Sequence, residues 1–388
     1  MLVKLEKVFV FVIVFVVINI YFLLTLNGDL PCDTNDTKWK DLHAAEDNKA
    51  EDKISVKFYL DVLWKGDNLE HHFEQLFNIM FKSKKQKNVY IVYDFDAKYS
   101  SIGEFYNGLI TTFLISKLVD RTFLINTDHK CSPASFYRPN LVAWDIAVEK
   151  YRHLNSFTHD LTSEHNFWKR FENFDFEEIY STDVVRILAN TEHIDETRRH
   201  FKSFDRILFL HLLSDSDIIR LIINGLLKPT YSVSSAARNI TSHSEDHPLI
   251  CFHAEIPAEK KYEDYRPVWN LLQNYSQNVS GRSPIFFLSI NDSGLIENAK
   301  LEFGSNILTV DSGMGILETE GEFCHILFKE IVLLEILKSC QTLIITDTII
   351  GKFAAHTRNL SSNLFCFTGG SFILTCQRDI VKSDLCWS

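Results

Sequence analysis

Beyond residue 247 the chain alternates short apolar runs with longer helical stretches, and few architectures accommodate that alternation. PLICFHAE (248–255), PIFFLSI (284–290), NILTV (306–310), TLIIT (342–346) and NLFCF (363–367) read as strands. Helical periodicity falls between them, at 262–277, 293–302 and 322–339, with a short helix after 346. The strands are nearly continuous in apolar residues, as in a parallel sheet covered on both faces. Strand–helix–strand units recurring about every 30–40 residues imply right-handed crossovers and a Rossmann-like lobe.

The same grammar starts earlier in the chain. Leu69, Phe73, Leu76, Phe77, Met80 and Phe81 recur at helical spacing over 67–82, and KSKKQK (82–87) reads as a solvated loop. NVYIVYD (88–94) is predicted as a strand, SSIGEFYNG (100–108) as a turn, GLITTFLISKLV (108–119) as a helix and RTFLIN (121–126) as the next strand. Residues 145–230 read as mainly helical, with one strand at 183–189. SVSSAARNITSHSEDH (232–247) has almost no large apolar residue and is the expected crossing between lobes. A chain of 388 residues exceeds what one hydrophobic core usually organises, so two lobes are expected, 56–240 (α/β) and 241–388 (Rossmann-like).

Residues 8–26, VFVFVIVFVVINIYFLLTL, carry no charge. At 1.5 Å per residue they span about 28 Å, close to the hydrocarbon thickness of a bilayer. Lys4 and Lys7 precede the run while Asp29 and Asp33 follow it. The positive-inside rule then predicts a single-pass type II signal anchor: 1–7 cytosolic, 8–26 transmembrane, 27–55 a polar lumenal stem, and the rest lumenal. Asn-x-Ser/Thr acceptors at Asn35, Asn239, Asn274, Asn278, Asn291 and Asn359 agree with a lumenal glycoprotein. So does an even set of eight cysteines with no CxxC pair and no histidines at zinc spacing. Some would pair in an oxidising lumen, most plausibly in the cysteine-rich last quarter, whereas Cys251 and Cys340 beside apolar runs also read as buried thiols. The excess of 51 Asp+Glu over 40 Lys+Arg, net −11, argues against a nucleic-acid partner.

Several segments, taken in order, resemble the α1,2/α1,6-type fucosyltransferases, the plant xyloglucan, bacterial nodulation and core enzymes. These are SIGEFYNGLI (101–110) running into RTFLIN, SFYRPNLVAWD (135–145), LLKPT (226–230), IFFLSINDSGLIENAKLEFG (285–304) and TLIITDTIIGKFAAHTRN (342–359). The resemblance covers about 88–360, and the order of the pieces carries more than any one of them. It implies a GT-B-like fold of two lobes facing a cleft, in a Golgi membrane protein with a lumenal catalytic domain. The implied activity is metal-independent, inverting transfer of fucose from GDP-fucose to a glycan hydroxyl, with a nucleotide sugar and a glycan acceptor as partners, no metal and no other cofactor.

On that resemblance, Gly103 and Gly108 at a helix entry would let backbone N–H groups approach an oxyanion. Asp292 and Asp311 would accept from guanine or ribose, and Ser289, Thr346 and Thr348 would donate to phosphate oxygens. His253, at the end of the second lobe's first strand, would be the base, its ordinary pKa of about 6.5 suiting proton acceptance, or else a structural histidine. Glu255 is the alternative base.

The sequence departs from the family where charge matters. The family's His-x-Arg becomes His253-Ala254-Glu255, and Ser101 and Phe105 stand where a glycine and an arginine are usual. Both cationic contacts for a dianionic diphosphate are thus lost, and Arg266, Arg282, Lys352 and Arg358 are the candidates to replace them. The alternative reading is a catalytically inactive relative that binds a glycan or partner in the secretory pathway. A weaker rival is a metal-dependent transferase using Asp94-Phe95-Asp96, a short pattern that Asp215-Ser216-Asp217 repeats. No phosphate-binding Walker loop, serine-hydrolase elbow or His-Glu-x-x-His occurs.

Overall fold

A computed structural model describes residues 69–81, 88–95, 101–128, 132–162, 176–198, 213–242, 246–257, 261–278, 283–310, 322–358, 363–367 and 373–375. The expected anchor at 8–26, the stem and the 82–87 loop lie outside these. Among the described residues no helix is long and apolar enough to cross a membrane. The helices are α1 (Leu69–Phe81), α2 (Ile102–Leu118), α3 (Phe176–Ile179), α4 (Asp215–Leu226), α5 (Tyr231–Thr241), α6 (Arg266–Asn278), α7 (Ser293–Phe303), α8 (Glu322–Ser339) and α9 (Ile349–Thr357). The strands are β1 (Tyr90–Asp94), β2 (Thr122–Ile125), β3 (Tyr137–Pro139), β4 (Ser156–Asp160), β5 (Val184–Leu188), β6 (Leu227–Pro229), β7 (Leu249–Ala254), β8 (Ile285–Ile290), β9 (Ile307–Thr309), β10 (Thr342–Ile345), β11 (Leu364–Phe367) and β12 (Ile373–Thr375).

Two sheets result. The first is parallel in the order β2-β1-β5-β4; the second is β12-β11-β10-β7-β8-β9, parallel except for β12 at its edge. Because side chains alternate across a strand, each apolar strand serves two cores. Ile91 and Tyr93 face inward while Val92 joins Leu124, Val184 and Tyr151 outside. In the second sheet Leu249 and Cys251 face inward, while Ile250 and Phe252 pack outward with Val268, Trp269 and Leu295 of α6 and α7. The inward faces of both sheets belong to one apolar cluster, filled by Phe105 and Phe113 of α2, Ile222 of α4, Ile331 and Leu334 of α8, and Phe353 of α9.

Three local differences from the sequence reading have identifiable causes. The segment 100–108 is not a turn: α2 starts at Ile102, where Ser101 and Glu104 form a reciprocal capping box. Its glycines are packing positions. A Cβ on Gly108 would lie 1.9 Å from the Ala189 carbonyl oxygen, and one on Gly103 would lie 2.2 Å from Ile349 Cδ1. The 232–247 stretch is largely α5, which needs only Val233 and Ile240, two turns apart, to bury one face. Within 145–230 lies an unforeseen edge strand, β4, whose first three side chains are exposed and leave no apolar signature.

Two segments singled out in the sequence meet as a small ribbon. β3 in SFYRPNLVAWD pairs antiparallel with β6 in LLKPT, Tyr137 opposite Pro229 and Pro139 opposite Leu227. The buried Trp144 donates its indole N–H to the Leu226 carbonyl at 2.6 Å, and the backbone N–H groups of Asn140 and Leu141 donate to Leu226 and Gly225. These motifs therefore tie residues 137–144 to residues 225–229.

Cys251 and Cys340 form a disulfide, with Cα atoms 5.9 Å apart. The buried-thiol reading is corrected: β7 carries Cys251 inward to meet the turn that leaves α8. Cys324 and Cys366 are also in disulfides.

Candidate functional site

The second sheet reverses direction at β7. β8 and β9 extend to one side, and the chain then returns to place β10 on the other, which makes β7 the switch point of the sheet. The Thr346 backbone N–H donates to the His253 carbonyl at 3.1 Å across that point. His253 stands opposite Ser289 in the parallel register, and its Nδ1 lies 3.0 Å from the Ser289 hydroxyl. His253 Nε2 and Thr346 Oγ1 are both buried with no hydrogen-bond partner. Two orphaned polar atoms at one switch point mark a place where a ligand or water completes the bonding.

Burial pulls the His253 pKa down from 6.5 to about 4, against the raising effect of its hydrogen bond to Ser289. The imidazole is therefore neutral near pH 7. Its ring packs against α9: a Cβ on Gly351 would come 3.3 Å from His253 Cδ2.

Beside it lies a cavity of about 230 Å³, with His253, Glu255, Ser289, Asn291 and Thr309 as its polar walls and aliphatic side chains for the remainder. None of the described residues lining it is a lysine or arginine. Glu255 is exposed at the cavity wall. Glu330 of α8, which does not line the cavity, has its pKa raised first by burial and then by the charge of Glu255. Asn291 fixes the rim: its Oδ1 accepts from the Ile256 N–H at 2.7 Å, and its Nδ2 donates back to the Ile256 carbonyl at 3.2 Å.

The other predicted site residues fall into two groups. Ser289 joins His253 at the cavity, and Thr346 flanks it. Asp292 instead caps α7, accepting the Leu295 N–H at 3.0 Å, and Thr348 caps α9, accepting the Gly351 N–H at 3.1 Å. Gly103 and Gly108 lie inside α2, and Asp311 lies outside the described residues. Of the acceptor asparagines, Asn239 on α5 and Asn274 on α6 are exposed, and Asn291 is tied to Ile256. Asn35, Asn359 and the Asn278 side chain lie outside the described residues.

The candidate replacement cations do not serve the cavity. Arg358 is wholly buried, but its guanidinium donates to the Cys340, Gln341 and Asn363 carbonyls at 2.8, 2.9 and 3.4 Å, at the amino ends of β10 and β11. That is the opposite edge of the sheet. Lys352 pairs with Asp347, Arg266 is exposed, and Arg282 lies outside the described residues. The Asp-x-Asp rival fares no better. Asp94 is held by Arg186 at 3.2 Å, Asp96 lies outside the described residues, and Asp215 pairs with Arg198. Among the described residues no three potential ligands gather to hold a metal.

Sequence reasoning missed Glu330, because α8 is apolar nearly all round and a glutamate there reads as solvent-facing. It also missed the structural use of Asn291, which resembled only a glycosylation acceptor.

No family model matches the chain, and no curated protein does. Among solved structures it is similar to the fucosyltransferase NodZ from Bradyrhizobium at 12% identity and TM-score 0.47, over 75% of this chain and 99% of that one. It is similar to Arabidopsis thaliana FUT1, solved in complex with GDP, at 12% identity and TM-score 0.48, over 81% and 78%. A glycosyl transferase family 9 protein from Veillonella parvula matches at 14% identity and TM-score 0.34, over 73% and 88%.

Proposed function

We propose that this chain is a fucosyltransferase-like protein of the secretory pathway, with a GT-B-like scaffold, that holds a glycan in the cavity at the carboxyl ends of β7, β8 and β9 and does not transfer fucose. The carrying observation is electrostatic. Glu255 stands at the cavity wall, and no lysine or arginine is among the described residues lining the cavity. Departure of a nucleoside diphosphate needs compensating positive charge where the leaving group sits, and the Glu255 side chain in the cavity wall opposes it. A sugar ring asks for something different, a few hydrogen-bonding groups on an aliphatic wall, which His253, Ser289 and Thr309 provide beside Ile290 and Val310.

A type II Golgi membrane protein with a lumenal body is the setting this reading adopts. The fully buried Cys251–Cys340 disulfide supports an oxidising compartment. The test is to incubate the purified full-length chain with GDP- and UDP-sugars and to probe it in parallel against a glycan array. The expected result is glycan binding without donor hydrolysis or transfer; turnover of GDP-fucose would overturn it.

A second reading, metal-independent inverting transfer from GDP-fucose, is favoured by one observation. A neutral His253 that lines the cavity and whose buried Nε2 lacks a partner has the form of a general base. It requires fucose transfer that disappears in His253→Ala.

A further inference from the structure

We infer that Asn239 and Asn274 carry N-linked glycans and that Asn291, the acceptor in the cavity wall, does not, an inference that rests on the lumenal setting proposed above. The reaction forms a bond from the asparagine Nδ2 to C1 of the first sugar. The bond from that C1 to the diphosphate of a lipid-linked oligosaccharide breaks, the lipid diphosphate leaves, and one amide proton passes to solvent.

The motif does not separate the three acceptors, because Thr241, Ser276 and Ser293 follow each of them at the required spacing. The fold does separate them. A glycan is bulky and hydrated, so the folded chain must leave its asparagine in water. On α6, Val268, Trp269 and Leu272 turn inward, whereas Asn270, Asn274 and Gln277 form an exposed stripe on the other side. Asn274 stands in the middle of that stripe. On α5, Val233 and Ile240 are buried, and Asn239 lies outside that face beside the exposed Arg238. Neither asparagine lines the cavity, so neither attachment point blocks it. The buried Cys251–Cys340 disulfide is an independent sign of the compartment in which such acceptors are used.

Asn291 differs in two ways. Its Oδ1 accepts from the Ile256 N–H at 2.7 Å and its Nδ2 donates to the Ile256 carbonyl at 3.2 Å, so the amide ties the segment after β7 to the end of β8. A sugar on Nδ2 replaces one amide hydrogen and adds bulk beside that backbone. Asn291 also lines the cavity, where an attached sugar would take the space that the glycan-binding reading needs.

The test is to produce the full-length chain in a eukaryotic cell that performs N-glycosylation and to remove its glycans with a peptide N-glycosidase in heavy-oxygen water. That enzyme turns each glycosylated asparagine into a labelled aspartate, which peptide mapping by mass spectrometry locates. The expected result is label at Asn239 and Asn274 and none at Asn291. Before deglycosylation, Asn239→Gln and Asn274→Gln should each raise gel mobility by one step, and Asn291→Gln should not. Thr241→Val and Ser276→Ala should reproduce the first two shifts with the asparagines intact, which separates loss of a sugar from misfolding. An unlabelled Asn239 or Asn274 overturns the inference, and so does label at Asn291, which leaves the lumenal setting in place. Absence of label from every acceptor in the chain overturns the lumenal setting with it.

Discussion

The Nδ1 of His253 and the hydroxyl of Ser289 lie 3.0 Å apart across two parallel strands, and this bond decides what the other ring nitrogen offers. If Ser289 donates, Nε2 carries the proton; if Ser289 accepts, Nε2 is an acceptor. Either way the ring stays neutral, because burial disfavours the imidazolium.

That neutrality has a stability consequence with a definite sign. The folded pKa lies below the unfolded value, so the unfolded chain binds the proton more readily. The contribution of His253 is complete above pH 6.5 and is lost as pH falls from 6.5 to about 4. The loss is on the order of 3 kcal/mol across that window. Urea unfolding of wild type and His253→Gln at several pH values checks it: the variant should show the shallower dependence, and identical slopes would contradict the assignment.

Arg358 should matter for folding and not for ligand. Arg358→Met removes a guanidinium shared among three carbonyls and should lower stability by about 3–5 kcal/mol, with Arg358→Lys rescuing little because an ammonium lacks the planar fork. Thermal melts measure this, and a variant that melts like wild type would refute it.

The two glycines of α2 should respond differently. Gly108→Ala meets a backbone carbonyl and should cost about 3 kcal/mol or more. Gly103→Ala meets only the flexible end of Ile349 and should cost less, with Ile349→Ala restoring most of the loss. A double-mutant cycle that found no coupling between 103 and 349 would remove the close approach of α2 to α9.

The Cys251–Cys340 bridge closes a separation of 89 residues, so Cys340→Ala should lower stability by about 4–5 kcal/mol in the chain-entropy view. Peptide mapping under non-reducing conditions should recover the 251–340 link; free thiols at both positions would contradict it.

Much of the second sheet was legible because its strands are too apolar to be anything else. The runs predicted around β7, β8, β10 and β11 match Leu249–Ala254, Ile285–Ile290, Thr342–Ile345 and Leu364–Phe367 within two residues at each end. β4 was illegible because an exposed edge strand needs no apolar alternation. The start of α2 was legible but misread: Ser101-x-x-Glu104 is a helix start, and the glycines beside it suggested a turn. At the site, local sequence placed His253 and Ser289 at the ends of neighbouring strands. It could not show that Glu330 comes from a distant helix, or that Arg358 is spent at the far edge of the sheet, since both depend on long-range packing.

The central claim is that the cavity opposes a nucleoside diphosphate. Isothermal calorimetry of the full-length chain against GDP and GDP-fucose tests it most directly. The account predicts no measurable binding by the wild type and a gain of GDP affinity in Glu255→Arg; tight binding of GDP-fucose by the wild type, weakened by Glu255→Arg, would contradict it.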